Sequence, residues 1–297
     1  MKRKKMEKGF RQRLAERQKK VNSLVCVGLD PLESKIPEFI KGRQPWSRIL
    51  IQIREIIDAT AGYACMFKPQ SAHYEAVPGG RQALQSIVDY IHTTYPDIPV
   101  FLDCKRGDIG RTQQQYGIAH FEIDGVDGMN FSPYMGRDCM EYLVNEDHPE
   151  RAIVGLCYTS NESARQVQDV KLADGRCYWE FMAETTLGWA KELGVIENAG
   201  LVMAAAYEWP KKSGNIFYAH LYRCREIVGD EMWLLIPGIG TQGGFVAETV
   251  RAAYSGPGTI VINSSSGITF ASLDKDFSEV SGKKAKDLRD QINDSIP

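Results

Sequence analysis

Short apolar runs recur along the chain, each bounded by turn residues and separated from the next by a stretch of helical length. Eight stand out, at residues 24–28, 63–67, 100–103, 128–132, 153–157, 201–204, 233–236 and 260–263. They are rich in Val, Ile and Leu and do not alternate with polar residues, as expected of strands buried on both faces. Between them the period lengthens. Ala83, Leu84, Ile87, Val88 and Ile91 fall on one face of a helix. Trp179, Met182, Thr186, Leu187, Ala190 and Leu193 make a second such face, and Ala247, Val250 and Ala253 a short third. Strands alternating with helices in this number predict an α/β fold, a (β/α)8 TIM barrel. A doubly wound sheet is the competing topology. The barrel is expected to occupy residues 1–297 as one domain, with an N-terminal helical extension and a C-terminal helix. The polar stretch 160–176 reads as a loop insertion on the barrel.

Composition narrows the function classes. The chain has 297 residues, 43% hydrophobic and 25% charged, with a formal net charge of −2. That balance gives no reason to expect nucleic acid or an anionic membrane as partner. No run approaches the ~18 apolar residues of a membrane span. The basic start Met1-Lys2-Arg3-Lys4-Lys5 lacks a following apolar stretch, so it reads as a solvated terminus and not a secretory signal. Seven cysteines, an odd number with no C-x-x-C pair, suggest free thiols in a reducing compartment and make the cytoplasm the default location. None of the five histidines has zinc-type spacing, so no metal is expected.

Barrel enzymes carry their chemistry at the C-terminal ends of strands. Here those ends are polar. The first run leads to Asp30, the second to Lys68, and the third to Asp103, Lys105 and Asp108. Asp103 and Lys105 are two apart, so on extended backbone they point the same way. Carboxylates and ammonium groups crowded there sustain each other's charge. A fixed, charged lysine is equipped to protonate a developing carbanion. A rim salt-bridge cluster is the competing reading. Lys68 follows the apolar Cys65-Met66-Phe67, which favours a pocket position over the surface. Asp30 is either the end of a strand or an acceptor for sugar hydroxyls. Asn130 to Tyr134 reads as a structural strand end with no chemistry.

Gly238, Gly240 and Gly243 fit G-x-G-x-x-G. A dinucleotide fingerprint belongs to a first βα unit, with an acidic residue ~20 positions later; this one comes late and is followed by Asn263. Loops after strands seven and eight of a barrel commonly hold phosphate through backbone N–H groups, which suits these glycines and Gln242 better.

The motifs Val27-Gly28-Leu29-Asp30-Pro31, Phe67-Lys68-Pro69-Gln70, Leu102-Asp103-Cys104-Lys105-Arg106-Gly107-Asp108-Ile109, Ser132-Pro133-Tyr134-Met135-Gly136, Thr159-Ser160-Asn161, the stretch from Pro237 to Gly244, and Ile262-Asn263-Ser264-Ser265 occur in one order. Together they resemble the orotidine 5′-phosphate decarboxylase family, in its longer-chain branch. The resemblance implies cofactor-free conversion of orotidine 5′-phosphate to UMP in pyrimidine biosynthesis, without metal, flavin or Schiff base. It implies a charged array of Lys68, Asp103, Lys105 and Asp108. Lys105 protonates C6 as CO₂ leaves. Asp30 binds ribose hydroxyls, Ser160 meets the pyrimidine edge, and Gln242, Gly243 and Gly244, with Ser265 and Ser266, close on the phosphate. It also implies a homodimer with shared sites, in which Asp108, Ile109 and Thr112 complete the neighbouring subunit's pocket.

Two positions depart from the family pattern. Ser266 stands where an arginine usually grips the phosphate, and a hydroxyl does not replace a bidentate guanidinium. Weaker substrate binding follows unless another arginine, such as Arg251, compensates. Ala204-Ala205-Ala206 replaces an expected Gly-Ala-Thr-like strand end. Two alternatives stay open. One is a non-catalytic nucleotide-binding barrel, motivated by Ser266. The other is a magnesium-dependent sugar-phosphate decarboxylase or aldolase sharing Asp-x-Lys-x-x-Asp, which needs acidic ligands where this chain has Lys68.

Overall fold

The computed structural model describes residues 8–42, 44–210, 212–239 and 245–297. Eight parallel strands form its centre: β1 (Val25–Leu29), β2 (Met66–Pro69), β3 (Phe101–Arg106), β4 (Gly128–Phe131), β5 (Ala152–Tyr158), β6 (Ala199–Met203), β7 (Trp233–Ile236) and β8 (Ile260–Ser264). They pair in the order β2-β1-β8-β7-β6-β5-β4-β3. Parallel bridges Phe67↔Val100 and Gln70↔Asp103 bring β2 and β3 together and complete the ring. This is the expected TIM barrel.

All eight strands lie on the apolar runs. Two boundaries moved in ways that matter. Tyr63 and Ala64 close the turn that follows the preceding helix, their N–H groups donating to Thr60 O at 2.9 and 3.0 Å, so β2 starts later and runs through Lys68. β3 continues past Asp103 to Arg106, which makes Lys105 a strand residue.

Helices cover the barrel: α1 (Phe10–Val21), α2 (Pro45–Thr60), α3 (Gly80–Thr94), α4 (Gly110–Gly117), α5 (Tyr178–Glu192), α6 (Ala219–Val228), α7 (Val246–Ala253) and α8 (Phe277–Asn293). The anticipated stripe on α3 is buried throughout, from Ala83 to Ile91. On α7 the buried face is Val246, Thr249, Val250 and Ala253, while Ala247 is only partly covered. The stretch 160–176 is less irregular than expected, because it holds the short helical turns Glu162–Ala164 and Arg165–Gln168. After β6, Tyr207–Glu208 pairs antiparallel with Ile216–Phe217, a hairpin the apolar pattern did not suggest.

Strand parity divides the core in two. Val25, Val27 and Leu29 of β1 face the helices, as do Leu102 and Cys104 of β3 and Leu234 and Ile236 of β7. The alternate residues Cys26, Met66, Phe101, Ala152, Val154, Val202, Trp233, Leu235 and Val261 fill the barrel interior. Helix α1 closes the N-terminal mouth. Phe10 stacks on Trp233 at 5.3 Å and meets Phe101 edge-on at 6.2 Å. Arg13 of the same helix donates to the buried Asp127 at 3.0 Å. One end is thus sealed with aromatic and ionic contacts, and chemistry is left to the other end.

Candidate active site

The same two-residue period places the site. Counting inward from Cys26, Met66, Phe101, Val154, Val202, Leu235 and Val261, the next inward positions are Gly28 and Asp30, Lys68, Asp103, Leu156, and Asn263 and Ser265. A cavity of about 400 Å³ opens at this level. Asp30, Lys68, Asp103, Lys105, Ser160 and Ser265 all line it. Leu156, Val202 and Leu235 give it an apolar wall. Gly28 is required there: a Cβ would stand 1.9 Å from Ser265 Oγ, so only glycine lets that hydroxyl into the mouth.

Asp103 is the hub. Lys68 Nζ donates to one carboxylate oxygen at 3.1 Å and Lys105 Nζ to the other at 2.5 Å. Lys68 lies 3.9 Å from Asp30 Oδ1. Its side chain is 3% exposed, whereas that of Lys105 is 47% exposed. Burial by itself disfavours charge on Lys68, but Asp30 and Asp103 outweigh it and hold the ammonium above its ordinary pKa. Burial likewise works against the Asp103 carboxylate. Lys68, then Lys105, and a hydrogen bond from Asn130 overcome it and keep the carboxyl well below its usual range. Both groups are therefore ionised at neutral pH. Asp30 Oδ1 is buried and accepts no hydrogen bond within the protein among the described residues. Such an orphaned acceptor is costly unless a ligand donor reaches it.

Asp103 and Lys105 meet as expected, though not by simple strand alternation. The β3–β4 register shifts between Leu102 and Arg106, and Lys105 has a left-handed backbone with φ +48°. That conformation costs a non-glycine residue about 1–2 kcal/mol. Asn130 supplies part of the compensation. Its Oδ1 accepts from the backbone N–H groups of Cys104 at 2.9 Å and Lys105 at 2.7 Å. Its Nδ2 donates to Asp103 Oδ1 at 2.7 Å. Asn130 ends its strand as expected but does more than that: it is 1% exposed, lines the cavity and holds the hub. The available signal was a lone amide inside the apolar Gly128-Met129-Asn130-Phe131 at a strand's C-terminal end. Asn130→Ala leaves a buried and a part-buried N–H group without an acceptor and Asp103 short of a donor. The expected loss is about 2–4 kcal/mol of stability, measurable by urea denaturation; a loss under ~0.5 kcal/mol would show that water replaces the amide.

The loop after β5 carries Thr159, Ser160 and Asn161 to the cavity. Gln168 Oε1 accepts from Thr159 N at 2.8 Å. The Arg165 guanidinium lies over the Trp209 ring at 3.7 Å and the Tyr207 ring at 4.7 Å, tying this loop to the hairpin after β6. The Ala204-Ala205-Ala206 segment has a structural account. Its N–H groups donate to Tyr158 O at 2.7 Å, Pro237 O at 3.1 Å and Thr249 Oγ1 at 2.9 Å. His220 Nε2–H donates to Ala204 O at 2.8 Å, and burial lowers the His220 pKa to about 4, so that ring is neutral.

Four of the anticipated residues that the structure describes, Asp108, Ile109, Thr112 and Ser266, do not line this cavity. Asp108, Ile109 and Thr112 follow β3 on the approach to and first turn of α4, and none lines the pocket of its own chain. Asp108 Oδ1 accepts from Ile109 N at 2.8 Å, and Ile109 is 53% exposed. Ser266 is exposed and opens the short helical turn Ser266–Thr269, adjacent to the lining residue Ser265. Arg251 lies on the exposed side of α7. Gln242, Gly243 and Gly244 fall outside the described residues.

The chain is similar to known proteins along nearly its whole length. The chain is 41% identical over 286 residues to the orotidine 5′-phosphate decarboxylase of Ralstonia nicotianae, covering 96% of this chain and 98% of that one. It is 40% identical over 276 residues to that of Dechloromonas aromatica, covering 92% and 94%. The solved OMP decarboxylase of Leishmania donovani superposes with a TM-score of 0.76 at 29% identity, covering 97% of this chain and 98% of that one. A sequence model of the orotidine 5′-phosphate decarboxylase / HUMPS family matches residues 23–277, a span that contains every described residue of the cavity, and the chain belongs to that family.

Proposed function

We propose that this protein is a carboxy-lyase that converts orotidine 5′-phosphate to UMP in de novo pyrimidine biosynthesis, without a cofactor. The observation that carries the reading is the Lys68–Asp103–Lys105 array: one carboxylate bridged by two ammonium groups over an apolar wall. The substrate carboxylate sits beside Asp103. Two like charges ~4 Å apart in an effective dielectric of ~20 repel by about 4 kcal/mol, and the repulsion vanishes as neutral CO₂ departs. The C6–carboxylate bond breaks and its electron pair stays on C6. Lys105 transfers a proton to that pair, forming the C6–H bond, and solvent then reprotonates the amine. The half-exposed position of Lys105 suits that last step. Lys68, fixed and charged, holds Asp103 in place.

Asp30 receives the ribose hydroxyls, which answers the orphaned Oδ1. Ser160 meets the pyrimidine edge from the β5 loop. Ser265 and Ser266, with Gln242, Gly243 and Gly244, take the phosphate. Replacing Ser266 with arginine is expected to lower KM by about tenfold or more, because charge-assisted hydrogen bonds contribute ~1.5–3 kcal/mol. Steady-state kinetics checks this, and an unchanged KM and kcat/KM would remove the phosphate from that position.

The functional unit is a homodimer in which Asp108, Ile109 and Thr112 enter the partner's pocket. Exposed apolar residues follow β3 and β4 on this side, with Ile109 at 53%, Met135 at 47% and Tyr134 at 82% exposure. The chain acts as one barrel domain in the cytoplasm. No helix among the described residues is long and apolar enough to cross a membrane.

The magnesium-dependent reading is disfavoured by a specific contact. The Lys68 ammonium occupies the space between Asp30 and Asp103, where a divalent cation would have to bridge those carboxylates. Incubation with orotidine 5′-phosphate in excess EDTA is the test. Equal amounts of UMP and CO₂ are expected; turnover that appears only on adding magnesium would overturn the metal-free reading.

A further inference from the structure

Lys105 is held in a left-handed backbone, and Asn130 secures only the side of it that precedes the residue. The side that follows depends on Arg106. Its carbonyl accepts from Ser132 N at 2.6 Å. Its side chain turns away from the cavity into a network that the decarboxylation chemistry does not use. Arg106 Nε donates to His120 Nε2 at 3.1 Å, and its guanidinium pairs with Glu75 and lies 4.8 Å over the Tyr116 ring. His120 is fixed in turn, with Nδ1 2.9 Å from Asp124 Oδ2. Asp124 is 3% exposed and also accepts from Arg81 at 2.9 Å and Gln85 at 3.0 Å.

This chain of donors admits one tautomer. Guanidinium nitrogens only donate, so His120 Nε2 must be the acceptor and the proton resides on Nδ1, facing Asp124. His120 stands in the π-helical turn Ile118–Ile123, directly after α4. Such turns are uncommon and recur at functional positions. Neither Arg106 nor His120 lines the cavity.

We infer that Arg106 and His120 form a positioning relay, in which the His120–Asp124 pair anchors Arg106 so that Lys105 keeps its left-handed backbone and aims its ammonium at Asp103. The inference rests on the decarboxylase reading for its kinetic consequence but not for its structural one. A purely structural link between the π-helical turn and β3 would lower stability on mutation and leave kcat alone. A positioning relay shifts kcat, because small misplacements of a catalytic group cost up to ~100-fold.

The experiment compares Arg106→Met, His120→Ala and His120→Gln by thermal denaturation and by kcat and KM for orotidine 5′-phosphate. Arg106→Met and His120→Ala are expected to lower kcat by ~30- to 100-fold with KM within about threefold. His120→Gln, whose Oε1 accepts from Arg106, is expected to recover kcat to within about fivefold of wild type. An unchanged kcat in Arg106→Met, or Gln no better than Ala, overturns the inference. A crystal structure of Arg106→Met decides the point independently of activity. Lys105 leaving positive φ supports the relay, and φ remaining near +48° overturns it. Failure of the wild type to turn over orotidine 5′-phosphate would sink the proposed function, while the φ measurement would still decide the relay.

Discussion

Lys105→Met is expected to lower kcat/KM by about four to six orders of magnitude while UMP binding stays within about tenfold of wild type. Two separate contributions reside on this one ammonium. General acid catalysis by a positioned side chain supplies ~10²–10⁴. Electrostatic stabilisation of charge developing on C6 supplies a further ~10²–10³. Stability is expected to change little, for reasons visible in the site. The Lys105 side chain is 47% exposed, and Asp103 keeps Lys68 at 3.1 Å and Asn130 at 2.7 Å when Lys105 is removed. The variant is therefore a clean test of chemistry against folding. Steady-state kinetics with UMP titration calorimetry reads both quantities. A loss of less than about tenfold would mean that another group protonates C6.

Mixing two inactive variants is expected to restore activity. Asp108 does not line its own chain's cavity, although Asp103 and Lys105 of the same segment do. If Asp108 serves the neighbouring subunit, Lys105→Met and Asp108→Asn each disable every site of their own homodimers. Random exchange of subunits makes about half of the dimers mixed. Each mixed dimer has one site with both defects and one with neither, so about one quarter of the wild-type activity returns. The measurement is turnover after mild dissociation and reassociation, with subunit exchange verified by mass labelling. Absent recovery despite exchange would place Asp108 in the site of its own chain.

The barrel was legible in the chain because its strands are buried on both faces. That burial demands unbroken apolar runs, and each run falls on one of the eight strands. Asp30, Lys68, Asp103 and Lys105 were legible for the same reason: charge immediately after such a run has nowhere to go but the barrel mouth. Asn130 was missed because its partners are the N–H groups of Cys104 and Lys105 on the neighbouring strand, and local pattern does not announce a contact across 25 residues. The left-handed φ of Lys105 was hidden similarly. Nothing in Asp103-Cys104-Lys105-Arg106 departs from an ordinary strand; the strain is set by Asn130 on one side and by Arg106 on the other. The hairpin after β6 escaped because two-residue strands carry too little periodicity to register. Ala204-Ala205-Ala206 looked anomalous only as a side-chain motif, and its bonds are made by backbone groups.

In the proposed reaction a carboxylate bridged by two ammonium groups, completed by Asp108 from a second copy of the chain, decarboxylates a nucleotide without a metal or an organic cofactor. The most direct measurement is the loss of substrate absorbance when the purified wild-type protein is mixed with orotidine 5′-phosphate in EDTA, with UMP binding measured in parallel by calorimetry. Complete loss of the substrate signal is expected, with one UMP formed for each orotidine 5′-phosphate consumed. An unchanged absorbance in a protein that still binds UMP would contradict it and leave a nucleotide-binding barrel without the chemistry.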